Sequence, residues 1–387
     1  MLTQEQNERL TRVGAGTPAG ELLRRYWQPV AAAAELTHEK PIKAVRVLGE
    51  NLVLYRTTAG DYGLVAEQCP HRRASLAYGR IDEDGIRCPY HGWKFNAAGR
   101  CLETPAEPRD STLRDAVKQP AYPVERLGGM LFAYMGPKPA PALPRWDVLA
   151  WEHGRRWVQR HSVIGCNWLQ CMENSVDPSH LYWLHGRTAH LAKALDHYEE
   201  KHDFTVFDHG VMKRRTSAGD EGARVDQHPL LFPNVLRHVL KSRQTGKLVH
   251  NLQYRLPVDD THTQVFMVLF SPDDEARTAP DADTPFEFVP MRDEDGNYRL
   301  DQVLAQDVMA WETQGPVMNR AAEILGAADR GVHIFRNLVA EQIETVAKGG
   351  TPLGVTPAGQ GAPVIELEVI NERIGLDRPQ TEAAATA

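Results

Sequence analysis

The stretch "CPHRRASLAYGRIDEDGIRCPYH" places one residue between Cys69 and His71 and two between Cys88 and His91. Two thiolates and two imidazoles suit a tetrahedral zinc ion. They equally suit a [2Fe–2S] cluster with sulfur ligands on one iron and nitrogen ligands on the other. Spacing separates the two. Zinc ribbons usually pair Cys with Cys, whereas each half here carries one ligand of each type. Two such loops can each give a thiolate to a first iron and an imidazole to a second. The cluster is therefore the expected occupant, with a zinc-stapled loop pair as the alternative.

A second set of chemistry-bearing residues lies in "CNWLQCMENSVDPSHLYWLHG". Asn174, Asp177 and His180 recur every three residues, which puts them on one helical face. His185 follows five residues after His180, and a regular helix would turn it about 140° away. Convergence of the two rings requires either a local π-type widening or a helix end near Gly186. Two converging histidines with a carboxylate make the facial triad of non-haem Fe(II) oxygenases, whose open positions are left for dioxygen. A single His on an apolar helix is ordinarily a core residue. A pair with an upstream Asp, in a chain that already carries a cluster motif, reads as a metal site. For Asp177 the plainer alternative is a cap on a helix beginning at Pro178. For Asn174 the choice lies between the iron's open side and an ordinary helix face.

The elements that must hold these residues are legible more coarsely. The 387 residues are enough for two domains, and 44 basic against 51 acidic residues, without a basic run, give no sign of a nucleic-acid partner. No apolar run approaches the roughly 18 to 20 residues of a membrane span. The opening "MLTQEQNERLTRVG" lacks the design of a signal peptide, so a cytoplasmic protein is expected. Residues 1–39 read as an N-terminal helical segment that includes "GELLRRYWQPV". Residues 40–135 carry short alternating runs such as "NLVLYRT" and "GGMLFAYMG" and read as a small β domain. A proline-rich linker follows at 136–147, then a larger unit at 148–375 and a frayed tail at 376–387. Within the larger unit, helices are expected at 166–185 and 301–348, and a hairpin over 250–272 turning at Asp259-Asp260. Cys101, Cys166 and Cys171 read as free buried thiols.

The string "CPHRRASL…CPYHGWKF" resembles the Rieske signature. Joined to "NSVDPSHLYWLH", it resembles the α subunit of Rieske non-haem iron oxygenases. The opening 30 residues and "DVMAWETQGPVMNRAAEILGAADRGV" resemble in particular the phthalate dioxygenase-like group, which includes phenoxybenzoate and chlorobenzoate dioxygenases. The resemblance covers most of the chain. It implies an α+β fold: an N-terminal β-rich Rieske [2Fe–2S] domain, then a catalytic mononuclear non-haem iron domain whose antiparallel sheet is covered by helices. It also implies a homotrimer or dimer of trimers and a partner reductase carrying flavin and a plant-type iron–sulfur centre.

Carried over residue by residue, the resemblance makes Cys69 and Cys88 ligands of one cluster iron, and His71 and His91 ligands of the other. His180 and His185 become ligands of a mononuclear Fe(II), with Asp307 as the third. Asp307 is preferred to Glu312, Asp329, Glu341 and Glu344 because it lies among apolar neighbours in "VLAQDVMAW", where a carboxylate needs a compensating partner. Asp177 would join His91 of one subunit to His180 of the next.

The implied activity uses O2 and electrons passed from NADH or NADPH through the reductase. It would hydroxylate a phthalate-, phenoxybenzoate- or halobenzoate-like aromatic acid by cis-dihydroxylation. O-demethylation of an aryl ether by a Rieske monooxygenase is the alternative, and a non-catalytic zinc-binding module is the alternative from another class. Residues 204–272 are expected to wall the pocket. They offer Lys213, Arg214, Arg215, Arg237, Lys241, Arg243 and Arg255 to a substrate carboxylate. Arg237 and Arg243 are the first choices, Arg237 because the apolar "HPLLFPNVL" lies beside it.

Overall fold

Thr3 opens the first helix, α1 (Gln4–Thr11), through a reciprocal capping box with Gln6, and Thr17 with Pro18 opens the second, α2 (Pro18–Leu23). The computed structural model describes residues 2–186, 200–218, 222–242, 244–359 and 363–377. After α2 the expected helical segment gives way to a strand, β1 (Trp27–Ala32). Pro29 cannot sit inside a helix, and here it falls at a register shift of the strand, where its missing N–H is tolerated.

Ten short strands follow: β2 (Ile42–Val47), β3 (Glu50–Arg56), β4 (Tyr62–Ala66), β5 (Arg80–Ile81), β6 (Ile86–Arg87), β7 (Lys94–Phe95), β8 (Cys101–Glu103), β9 (Ala121–Tyr122), β10 (Val124–Leu127) and β11 (Met130–Tyr134). A short helix, α3 (Leu113–Ala116), interrupts them. They form three sheets, ordered β1-β11-β10, β2-β3-β4-β9 and β5-β6-β7-β8. The third sheet carries the cysteine–histidine loops at its end. Beneath those loops Tyr55, Val65, Leu76, Ile86 and Phe95 form a small core that also takes in Cys69, Cys88 and Trp93.

The second unit begins with β12 (Arg145–Trp146), α4 (Asp147–Ala150), β13 (His153–Ile164) and α5 (Trp168–Val176). It continues through β14 (Glu200–Phe207), β15 (Gly210–Ser217), β16 (Arg224–Leu231), β17 (Val235–Lys241), β18 (Leu248–Asp259), β19 (His262–Arg277) and β20 (Phe286–Val289). Helices α6 (Val303–Glu312) and α7 (Arg330–Ala347) and strands β21 (Val364–Ile365) and β22 (Ile370–Asn371) complete it. Its nine-stranded sheet runs β14-β15-β16-β17-β18-β19-β13-β20, with β22 on β16. The sheet is antiparallel except at β13 and β20. The β18–β19 hairpin turns at Asp260-Thr261, one residue later than expected. The stretch expected to be helical over 301–348 is broken between Glu312 and Arg330.

Strand alternation divides the packing. Leu252, Tyr254, Phe266, Val268 and Phe270 enter a large core shared with Leu131 and Phe132 of β11 and Phe335 of α7, so the two units share one interior. On the opposite face Val249, Val265, Met267 and Leu269 pack with Ala305, Val308 and Trp311 of α6.

Helix α5 is anchored by charge as well as by apolar contact. Buried Glu173 accepts from Arg320 Nε and Nη2, both at 2.8 Å, and from Arg336 Nε at 2.6 Å. Glu323 takes the remaining face of Arg336. Burial raises the Glu173 pKa, but Arg320 and Arg336 outweigh it and hold the carboxyl below its ordinary value. This stabilisation is present above the ordinary glutamate range and is lost as pH falls through the lower folded value. Glu173→Ala leaves the buried Arg320 guanidinium without a counter-charge and Arg336 with Glu323 alone, and is expected to cost about 3–5 kcal/mol. An earlier denaturant midpoint for the catalytic unit, with cluster absorption intact at low denaturant, checks it.

Candidate metal centres

The two ligand loops share one backbone plan. Arg73 N donates to Cys69 O and Gly92 N to Cys88 O, while Cys69 N donates to Ala74 O and Cys88 N to Trp93 O. The fourth residue after each cysteine takes a left-handed conformation, Arg73 at φ 64° and Gly92 at φ 75°. The repeated turn brings the second loop over the first. Both sulfurs are buried, His71 is exposed and His91 half-buried. The two imidazole rings lie 4.6 Å apart, and Trp93 stacks on His71 at 4.5 Å.

The four do not converge on one point. A tetrahedral zinc ion needs its ligand atoms within about 4 Å of one another. Among the described residues the only set of three or more His, Cys, Asp and Glu ligand atoms mutually within 4.8 Å is another one. A sulfur pair set inward and a nitrogen pair set outward suit a two-iron cluster instead. Burial, together with the Cys88 sulfur, pushes the Cys69 thiol up to about 11 against a hydrogen bond from the His71 backbone. At neutral pH the thiol keeps its proton until a cation displaces it.

The set that does converge is His180, His185 and Asp307. Helix α5 stops at Val176 because Asp177 adopts φ −81°, ψ 121°, so Asn174, Asp177 and His180 do not share one continuous helical face. Pro178 starts a new turn. Asp177 caps it, accepting from Ser179 N at 2.7 Å and His180 N at 3.2 Å. Residues Leu181–His185 then form a π-helix. This wider turn removes the 140° offset of a regular helix and swings His185 back toward His180. The rings lie 5.2 Å apart, with His185 Nε2 at 3.2 Å and His180 Nε2 at 3.7 Å from Asp307 Oδ1.

Asp307 arrives from α6, and Asn174 Nδ2 donates to its Oδ1 at 3.4 Å, so Asn174 supports the carboxylate. The rival acids are committed elsewhere or exposed. Glu312 binds Gly165 N, Arg292 and Tyr298, Asp329 caps Gly326, Glu344 pairs with Arg9, and Glu341 is exposed.

Gln306 has no signature in the sequence, since a mid-helix Gln is ordinarily solvated. Its Oε1 lies 2.7 Å from His185 Nδ1, while its Nε2 donates to Leu300 O at 2.7 Å. That fixes the amide as acceptor, places the His185 proton on Nδ1 and leaves the Nε2 lone pair, on the Asp307 side, to ligate a metal. Gln306→Leu is expected to weaken metal binding about 10- to 100-fold. Chelator competition measures it, and parental affinity would show that His185 is held by other contacts.

Asp177 Oδ2 stands 3.5 Å from His180 Nδ1, too long for a good hydrogen bond but close enough for charge to act. Burial raises the Asp177 pKa, yet His180, the Ser179 N–H and Lys213 hold it below the usual range. Lys213, buried under α5, donates to Ser175 O at 2.9 Å, and burial pulls its ammonium down to about 8.

Arg237 is not a substrate ligand. It is 1% exposed, and its Nε and Nη2 grip the buried Asp147 carboxylate at 2.9–3.2 Å, with Nη1 on His238 O. Alternation along β17 turns it to the face of the sheet opposite α6. Arg215 pairs with Asp226 at 2.8 Å and Lys241 is exposed. Arg243 lies outside the described residues. All five cysteines are free and buried. No described helix is long and apolar enough to cross a membrane.

Residues 26–123 match the Rieske [2Fe-2S] domain family, and residues 247–372 match a family described as LigXa C-terminal domain like. The chain is 38% identical over 370 residues to the 5,5'-dehydrodivanillate O-demethylase oxygenase subunit of Sphingobium sp. strain SYK-6, covering 92% of this chain and 84% of that one. It is 36% identical to phenoxybenzoate dioxygenase subunit alpha of Ectopseudomonas oleovorans, over 89% of this chain and 87% of the relative. NdmA of Pseudomonas putida CBB5, solved with caffeine, shares the architecture with a TM-score of 0.67 at 20% identity, over 89% of this chain and 99% of that one. A β-rich Rieske domain joined to a helix-covered sheet defines the terminal component of a Rieske-type oxygenase. The chain belongs to the Rieske non-haem iron oxygenases, in the group that includes the phenoxybenzoate and phthalate dioxygenase oxygenase subunits, and it is an oxidoreductase.

Proposed function

We propose that the chain hydroxylates an aromatic acid with O2, holding a [2Fe–2S] cluster on Cys69, Cys88, His71 and His91 and a mononuclear Fe(II) on His180, His185 and Asp307. The convergence of the last three through the π-turn, in a chain with a Rieske domain, carries this reading. When loaded, the mononuclear iron supplies dioxygen activation and the cluster supplies an electron to it.

The protein's own groups do the rest. Gln306 orients His185, and Asn174 steadies Asp307. Asp177 holds a negative charge beside His180 and shapes the turn that presents it. The outward-facing imidazoles of His71 and His91 leave the nitrogen side of the cluster accessible to a neighbouring subunit and to a flavin- and iron–sulfur-bearing reductase drawing on NADH or NADPH. In a trimer, Asp177 would join His91 of one subunit to His180 of the next. The cytoplasm, which supplies that reductant, is the proposed location.

Two outcomes share this site, cis-dihydroxylation of the ring and removal of an O-methyl group. The 38% identity to an O-demethylase subunit keeps the second in view. Turnover of aryl carboxylates and their methoxy derivatives with a matched reductase decides. A cis-diol marks the first and formaldehyde the second. Protein that holds no iron beyond its cluster, or no cluster, overturns the proposal.

A further inference from the structure

Arg87 ends β6 one residue before Cys88, and its guanidinium joins three parts of the small sheet. Nε and Nη2 donate to Asp82 Oδ2 at 3.0 and 2.6 Å, across the β5–β6 turn. Nη1 lies 2.9 Å from Glu103 Oε2 on β8 and donates to Gly92 O at 2.9 Å. Gly92 directly follows His91, so the loop from Cys88 to His91 is closed by the side chain that precedes it. Two carboxylates alone would satisfy an ordinary ion pair. The bond to Gly92 O ties this cation to the ligand loop. Among the described residues the first loop has no such clamp, since Arg73, which matches Gly92 in the repeated turn, donates to the Gln68 side chain.

Lys94, opposite Arg87 on β7, serves the same carboxylates, with Nζ 3.0 Å from Asp84 Oδ1 and 2.5 Å from Glu103 Oε1. The Arg87 and Lys94 side chains are only 15% and 10% exposed, which limits screening by solvent. Arg87, then Lys94, holds the Glu103 carboxyl down to about 2, so it is ionised at neutral pH. Three carboxylates thus face two covered cations, with the exposed Arg80 at 4.0 Å from Asp82. Without Arg87 the excess of negative charge beside Cys88 grows. A cluster held by two thiolates and two neutral imidazoles becomes negative on taking an electron, and a fixed cation nearby favours that state.

We propose that Arg87 is a positioning residue for the cluster: it fixes the Cys88–His91 loop through the Gly92 carbonyl and supplies positive charge that raises the cluster's reduction potential. The inference rests on the [2Fe–2S] reading of the four ligands and adds what sets their rigidity and electron affinity.

The test titrates the cluster of the full-length protein electrochemically and follows its loss to a chelator by visible absorption. Arg87→Met is expected to lower the reduction potential and to speed cluster loss about 10-fold. Arg87→Lys keeps the charge without the fork, so the potential stays near the parental value while loss remains fast. Glu103→Gln removes a carboxylate and spares the Gly92 bond, so the potential rises and loss stays at the parental rate. If Arg87→Met assembles no cluster, Arg87→Lys decides the loop and Glu103→Gln the charge. Parental potentials in Arg87→Met and Glu103→Gln, or parental rates of cluster loss in both Arg87 variants, overturn the inference and leave the cluster reading standing. A parent without a [2Fe–2S] spectrum overturns both.

Discussion

Asp177→Asn is expected to leave the cluster and the catalytic iron populated while electron passage between them slows by about 10- to 100-fold. The side chain keeps an oxygen able to cap Ser179 N and His180 N, and Asn is as good a cap as Asp, so the turn that presents His180 should persist. The negative charge 3.5 Å from His180 Nδ1 is lost. That charge favours a proton on the outward nitrogen of the ring and strengthens the opposite nitrogen as a ligand. A single-turnover experiment with pre-reduced protein, substrate and oxygen reads the effect directly, because the cluster changes colour as it is oxidised. The variant's cluster should stay reduced far longer than the parent's. Oxidation at the parental rate would reduce Asp177 to a helix cap. Loss of iron would place it among the ligands.

Removing any one of His180, His185 and Asp307 is expected to abolish turnover and mononuclear iron while the cluster spectrum stays at the parental level. The two centres draw on separate elements: the cluster loops end the small β5-β8 sheet, and the triad spans the π-turn and α6. A site with so few protein ligands loses most of its affinity when one goes. Asp307→Ala carries a second consequence, since it leaves Asn174 Nδ2 without its acceptor. Glu341→Ala and Glu344→Ala serve as controls and should retain iron, their side chains lying at the exposed surface of α7. Iron analysis beside the visible spectrum separates the cases. A His180 or His185 variant with full iron and activity would remove that residue from the centre, and iron loss in a control would move the third ligand to α7.

The proposed cluster ligands stand out because all four lie in two loops close in sequence, and the chemistry depends on residue type at short spacing. The same holds for His180 and His185. Their separation of five residues is incompatible with a regular helix, and the conflict itself pointed to the π-turn that the structure contains. Local rules also marked the β-rich unit, the hairpin and the proline-rich join. They failed at "YWQPV", where pairing with β11 outweighed the helical look of the preceding residues. They failed again across Asp177-Pro178, where one extended residue breaks the face that a three-residue repeat had suggested.

What remained for the tertiary structure was every choice among residues of like type. Arg237 and Arg255 are both buried arginines on neighbouring strands, yet alternation sends Arg237 to Asp147 and Arg255 toward α6. Five acids could have met the histidines, and only the packing of α6 against the π-turn brings Asp307 there, with Gln306 beside it to hold His185. The sequence by itself determined which chemistry the chain carries, because ligand type and close spacing are local properties. Which distant carboxylate meets the histidines, and which arginine is left without a counter-charge, depend on strand register and helix docking between segments 90 or more residues apart.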